Sequence, residues 1–162
     1  MQNIPVTTTS RTGGRAGRHT PELDKQAVSE IVRTTDGLRR RFAAILEPYG
    51  LTPQQFNVLR ILRGARPDPL PTMEIAERML EKTPGITGLL DRLEAKGLIE
   101  RRRLSDDRRC VHGSITPAGL ELLAELDEPV ADGDAAAVRG LPAAELARLV
   151  DLLRELRAGW TE

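Results

Sequence analysis

Apolar residues along this chain recur with the period of an α-helix, in runs separated by short polar stretches. Leu23, Ala27, Ile31, Leu38, Phe42 and Ile45 stand three, four or seven residues apart, so one helix from about Pro21 to Leu46 carries them on a single face. Pro48 and Gly50 end it. A second helix is predicted from about Pro53 to Arg63, with Phe56, Leu59 and Leu62 on one side. Gly64 opens a loop, Ala65 to Pro71, that holds three prolines. A short helix follows from Met73 to about Leu80, then another from Pro84 to Lys96, with Gly97 placed to supply a left-handed C-cap. The period then changes. Leu98 to Arg103 and Cys110 to Ile115 read as two strands around a polar turn, and Val111, Gly113 and Ile115 alternate with Cys110, His112 and Ser114 as in a half-buried ribbon. A helix starting at Pro117 runs towards Glu128. Asp132-Gly133-Asp134 reads as a break, and Ala135 to Val138 resumes the helix. Leu141-Pro142 introduces the last helix, with Leu146, Leu149, Val150, Leu153 and Leu156 on its apolar side.

One device punctuates these runs. Thr-Pro occurs at Thr20-Pro21, Thr52-Pro53, Thr83-Pro84 and Thr116-Pro117. A threonine hydroxyl accepts an orphan N–H of the first turn, and proline at the first helical position loses nothing by lacking its own N–H. Each pair therefore predicts a helix start, and Gln55 adds a capping-box partner for Thr52.

Composition narrows the class. The 162 residues suit one domain and a tail, and 40% apolar content is enough for a packed core. Phe42, Tyr49, Phe56 and Trp160 are the only aromatics, so that core rests on aliphatic side chains, as packed helices do. Residues 1–19 hold Arg11, Arg15 and Arg18 without an acid and little that is apolar, and read as a disordered basic tail. A single cysteine excludes an internal disulfide framework, and no apolar run approaches the ~18 residues of a membrane helix. The polar N-terminus lacks a signal peptide's apolar stretch, so a cytoplasmic protein is expected.

Function enters through the middle of the chain. Two helices joined by a tight polar turn, here Glu81 to Thr83, are the core of a helix-turn-helix, and the hairpin makes it winged, from about Thr72 to Thr116. Ile86, Leu89, Leu90 and Leu93 form the inward face of the second helix. Thr83, Gly85, Thr87, Gly88 and Asp91 face outward, with Lys82 at its mouth. Small outward residues let a helix approach a major groove closely, and threonine can bond bases or touch a thymine methyl. The whole chain has zero net charge, but Lys82 to Arg109 hold eight basic residues against five acids, a local balance of +3. A basic hairpin beside such a helix suits phosphate and minor-groove contact.

Leu51-Thr52-Pro53-Gln54-Gln55-Phe56-Asn57-Val58-Leu59 resembles the second helix of the MarR family of regulators. Asp91-Arg92-Leu93-Glu94-Ala95-Lys96-Gly97-Leu98-Ile99 resembles the end of that family's recognition helix. Asp107-Arg108-Arg109, followed by Ile115-Thr116-Pro117-Ala118-Gly119, resembles its wing and the helix beyond. The resemblance covers Leu23 to Arg157. It implies a mainly α fold with a small β-hairpin wing: one domain over 20–162, a winged helix-turn-helix at about 52–117, and dimerisation helices at about 20–47 and 117–160. It also implies a homodimer reading double-stranded DNA at a pseudopalindromic operator, as a repressor or an activator, with a repressor preferred. The DNA-binding residues are then Lys82, Thr83, Pro84, Gly85, Thr87, Gly88 and Arg92 around the recognition helix, and Arg101, Arg103, Asp107, Arg108 and Arg109 on the wing. By that resemblance Arg109 would be the inserted side chain, Asp107 would orient it or brace the wing, and Arg101, Arg103 and Arg108 are phosphate candidates. A small aromatic or anionic effector is implied between the dimer helices and the DNA-binding lobe, with Phe42, Tyr49 and Phe56 as lining candidates.

Other chemistry finds less support. Cys110 lies on the expected wing, where an inert thiol is the simpler reading. His19 and His112 are isolated, so no metal site or cofactor emerges. Arg39-Arg40-Arg41 reads as a solvated helix face, with reach to an acidic ligand as the alternative. No catalytic set assembles, which argues against an enzyme. A winged-helix protein-interaction module without specific DNA binding is the competing class.

Overall fold

The computed structural model describes residues 20–80, 85–103 and 111–160. The expected basic tail, Lys82, Thr83, Pro84, Asp107, Arg108, Arg109 and Cys110 lie outside them. The elements in chain order are α1 (Pro21–Leu46), a single 3₁₀ turn (Glu47–Tyr49), α2 (Pro53–Ala65), β1 (Leu70–Pro71), α3 (Thr72–Arg78), α4 (Ile86–Ala95), β2 (Ile99–Arg103), β3 (Val111–Ile115), α5 (Pro117–Val138) and α6 (Ala143–Ala158). The fold is mainly helical with a small antiparallel wing.

The chain divides into two compact units, one ending at Thr35 and one beginning at Asp36. In the first, Thr20 opens α1 as its Oγ1 accepts the Leu23 N–H at 3.3 Å, and Glu22 and Asp24 occupy the first turn, where carboxylates suit the helix dipole. Leu23, Val28, Ile31 and Val32 are exposed along this part of α1.

In the second unit α2 forms the centre. Thr52 and Gln55 make the expected capping box: Thr52 Oγ1 accepts the Gln55 N–H at 3.2 Å, and Gln55 Oε1 accepts the Thr52 N–H at 3.1 Å. Around buried Phe56, Val58, Leu59 and Leu62 pack Ile75 of α3, Leu89, Leu90 and Leu93 of α4, and Leu123 and Leu126 of α5. The sheet has the order β1-β3-β2, with Ile99 opposite Ile115 and Arg103 opposite Val111 across the wing.

Several elements differ from the sequence expectation. Gly64, expected to open the loop, lies inside α2, which runs on to Ala65. The proline-rich loop contains a strand, because Leu70 and Pro71 pair antiparallel with Gly113 and His112. Proline is tolerated at that sheet edge, and Leu70 is buried. The short helix ends at Arg78 rather than Leu80, and the Leu80 N–H turns to Asn57 Oδ1 at 3.2 Å. The break expected at Asp132-Gly133-Asp134 does not occur, since α5 is one helix of 22 residues that continues past Pro129. Gly133 serves packing there: a Cβ on it would stand 2.3 Å from Ile45 Cδ1, so the glycine allows α5 to close on the end of α1. The local preference of glycine and aspartate against a helix is weak, and tertiary context overrides it here.

Candidate nucleic-acid interface

The two faces of α4 separate as its sequence spacing requires. Leu89, Leu90 and Leu93 are at most 3% exposed and Ile86 is half-buried, while Gly85, Thr87, Gly88, Asp91 and Arg92 are exposed. The helix begins at Ile86, with Gly85 at its N-cap in the left-handed region at φ 89°. The Thr83-Pro84 pair expected to open it lies outside the described residues, and Gly85 itself supplies no side-chain cap. Its other end forms a Schellman motif. The Gly97 N–H donates to Glu94 O at 2.8 Å, the Leu98 N–H donates to Leu93 O at 3.1 Å, and Gly97 has φ 71°.

Gly88 lies inside the helix, where glycine is less favourable than alanine by about 1 kcal/mol. A Cβ added there would meet no neighbouring described residue within 4 Å. Packing among the described residues gives no reason for its bareness, which leaves a smooth outward patch with Gly85 and Thr87.

The base of the wing is fastened to α4 through Thr116. Its Oγ1 donates to Gly97 O at 2.7 Å and accepts the Gly119 N–H at 3.1 Å, while its own N–H donates to Leu98 O at 3.1 Å. One residue thus caps α5 and holds the end of α4 at the root of β2. Gly119 fits under it because any Cβ would lie 2.3 Å from Leu98 O. Lys96, the C-cap of α4, adds a further tie, its Nζ donating to Gly50 O.

The described wing arginines have different environments. Arg101 is turned back onto α4, where it meets Glu94 and Asp91. Hydrogen bonding to Arg101 holds the Glu94 carboxyl below its ordinary range, and the same bond holds the Arg101 guanidinium protonated still more firmly. Arg102 pairs with Glu100 at 2.9 Å on its own strand. Arg103 is exposed and has no ion pair with another described residue. Neither the Glu94–Arg101 bond nor the Thr116 staple was expected from sequence. Glu94 lies seven residues from Arg101, and only the turn at Gly97 folds the two together.

A cavity of about 300 Å³ lies between α1, α2 and α5. Phe42 and Phe56 meet on its wall edge to face, 5.3 Å between centroids at 74°, and Arg60 sits over the Phe56 ring at 5.8 Å. Arg39, Arg41 and Asp134 also line it. Arg40, between the first two, instead pairs with Asp36. Tyr49, the third aromatic expected at an effector site, sits on the 3₁₀ turn against the core and does not line this cavity. The described residues hold no group of three or more His, Cys, Asp or Glu side chains placed to bind a metal, and none of their helices is long and apolar enough to cross a membrane.

A sequence model of the MarR family matches residues 51–111, from the start of α2 into the wing. The HTH-type transcriptional regulator FarR of Neisseria gonorrhoeae is 32% identical over 126 residues, which cover 78% of this chain and 85% of that protein. Among solved structures, a MarR transcription factor from Planctomyces limnophilus is 36% identical with a TM-score of 0.67, covering 85% of this chain and 98% of that one. BpsR of Bordetella bronchiseptica, whose DNA binding is regulated by 6-hydroxynicotinic acid, is 25% identical with a TM-score of 0.72, covering 82% and 98%.

Proposed function

The chain belongs to the MarR family of winged helix-turn-helix transcriptional regulators, and from that premise we propose that it works as a homodimer on a pseudopalindromic DNA site, as a repressor released by a small molecule. The observation that carries this reading is the outward face of α4, where Gly85, Thr87 and Gly88 leave room for close approach to base edges. In this reading Lys82, Thr83, Pro84 and Arg92 flank that face. Arg103 and Arg108 meet phosphates, and Arg109, oriented by Asp107, enters the minor groove. Exposed apolar side chains on α1 (Leu23, Val28, Ile31, Val32) and on α6 (Leu149, Val150, Leu152, Leu156) support self-association, which sets two α4 helices about one DNA turn, ~34 Å, apart. The cavity walled by Phe42 and Phe56, with Arg39, Arg41 and Arg60 on its margin, suits a small aromatic anion. The ligand named for BpsR belongs to that chemical class. A ligand that prefers one spacing of the two α4 helices shifts the population away from the DNA-competent state.

Footprinting and fluorescence anisotropy with duplexes from the gene's own upstream region test this reading at physiological salt. Two protected half-sites one turn apart are expected. Affinity for that duplex no higher than for a scrambled one would sink the proposal.

A further inference from the structure

Arg101 lies on β2, opposite Gly113, but its contacts are with α4. Its backbone N–H donates to Glu94 Oε1 at 3.0 Å, while Nε and Nη2 donate to Glu94 Oε2 at 2.9 and 2.6 Å. Nη2 also reaches Asp91 Oδ1. Both Glu94 oxygens are thereby used, one by the backbone of the wing and one by the planar fork of its side chain, which restricts rotation more than a point charge does. The Arg101 side chain is 20% exposed, against 70% for Arg102. The difference follows from what each one bridges. The Arg102–Glu100 pair stays within one strand, whereas Arg101 joins the wing to the helix beside it. Asp91 stands on the same outward face as Thr87 and Gly88, where an unmasked carboxylate would repel phosphate.

We propose that Arg101 is a positioning residue of the DNA-reading surface: from the first wing strand it clamps Glu94 and Asp91, sets the wing against α4, and masks two carboxylates that would otherwise stand beside DNA. This rests on the reading of α4 as the major-groove helix. It gives Arg101 a different role from Arg103, which is exposed. A clamp of this kind acts on specificity, because the relative placement of two grooves' contacts separates a correct site from a random one. A phosphate contact strengthens binding to every duplex alike.

The test uses the full-length protein, a duplex selected by the wild type from a random-sequence pool, and a scrambled duplex, with affinities measured by anisotropy across a salt series. R101Q is expected to lower the selected-to-scrambled ratio by about tenfold, the size of one lost specific contact. The D91N/E94Q double variant leaves the arginine in place and removes two negative charges. It is expected to bind the scrambled duplex more tightly and yet lose a similar factor in the ratio. Adding R101Q to that double variant should lower the ratio no further. Equal losses on both duplexes in R101Q, with the salt slope reduced by about 0.9 and a wild-type ratio in D91N/E94Q, would make Arg101 a phosphate contact and overturn the proposal. Where R101Q fails to fold, R101K and D91N/E94Q take its place, and wild-type ratios in both overturn the proposal. Thr87→Gln separates this result from failure of the underlying reading. If Thr87→Gln lowers the ratio while the clamp variants do not, only the Arg101 proposal falls. If Thr87→Gln leaves the ratio unchanged, α4 is not the reading helix and both fall.

Discussion

In α4, Leu89, Leu90 and Leu93 are at most 3% exposed, whereas Leu149, Val150, Leu152 and Leu156 of α6 are between 38% and 50% exposed. Both helices repeat leucine at helical spacing, and both carry charges on the opposite side. The stripe of α4 is covered by α2 and the sheet, while α6 buries no residue at all. An apolar stripe therefore states that a helix needs a neighbour, without saying whether the neighbour belongs to the same chain.

Truncating each stripe tests that contrast most strongly. Leu93→Ala should destabilise folding by about 2–5 kcal/mol, because a fully buried site leaves a cavity. Urea unfolding should show the loss at every protein concentration. Leu152→Glu should instead act on assembly, and sedimentation at micromolar concentration should find monomers with the secondary structure retained. A fully dimeric Leu152→Glu protein would remove α6 from the interface and break the comparison.

Two glycines extend the contrast between inward and outward positions. Gly119→Ala drives a Cβ towards the Leu98 carbonyl, which is backbone and cannot turn aside. A loss of about 1–3 kcal/mol in chemical denaturation is expected, with the largest changes in hydrogen exchange at Leu98 and Thr116. Gly88→Ala should have the opposite sign, stabilising the fold by about 0.5–1 kcal/mol while weakening binding to the selected duplex. Tighter or unchanged binding would show that the bare patch on α4 does not approach DNA.

The smallest effect concerns acid. Glu94 is held below its ordinary value of 4.5 by its bond to Arg101, so the stability it contributes is present above that value and is lost as pH falls through the lowered one. From neutral pH down to about pH 5 the clamp should stay closed. Below the ordinary carboxylate range the Arg101 side-chain N–H should lose hydrogen-exchange protection, and E94Q should remove that pH dependence. Protection lost equally in both proteins would assign the change to other carboxylates.

Local chemistry determined much of this molecule. The two faces of α4, the Thr52 and Thr116 caps, the left-handed turn at Gly97 and the alternation around Gly113 and Ile115 all depend on residues within a few positions of one another, and spacing alone exposes them. The outward glycines and threonine of the face proposed to read DNA were legible for the same reason. Only the tertiary structure decided the rest. The strand at Leu70–Pro71 exists because β3, some forty residues on, offers it a partner. Helix α5 continues through Gly133, where it faces Ile45 of α1. Phe42 and Phe56 join Asp134 around one cavity although they come from three helices, while Tyr49, nearer in sequence, stays outside. Arg101 read as one more basic wing residue until the turn at Gly97 brought Glu94 and Asp91 within its reach. Capping and periodicity operate over a single helical turn, whereas these contacts depend on which distant surfaces meet, and that is settled by packing of the whole core.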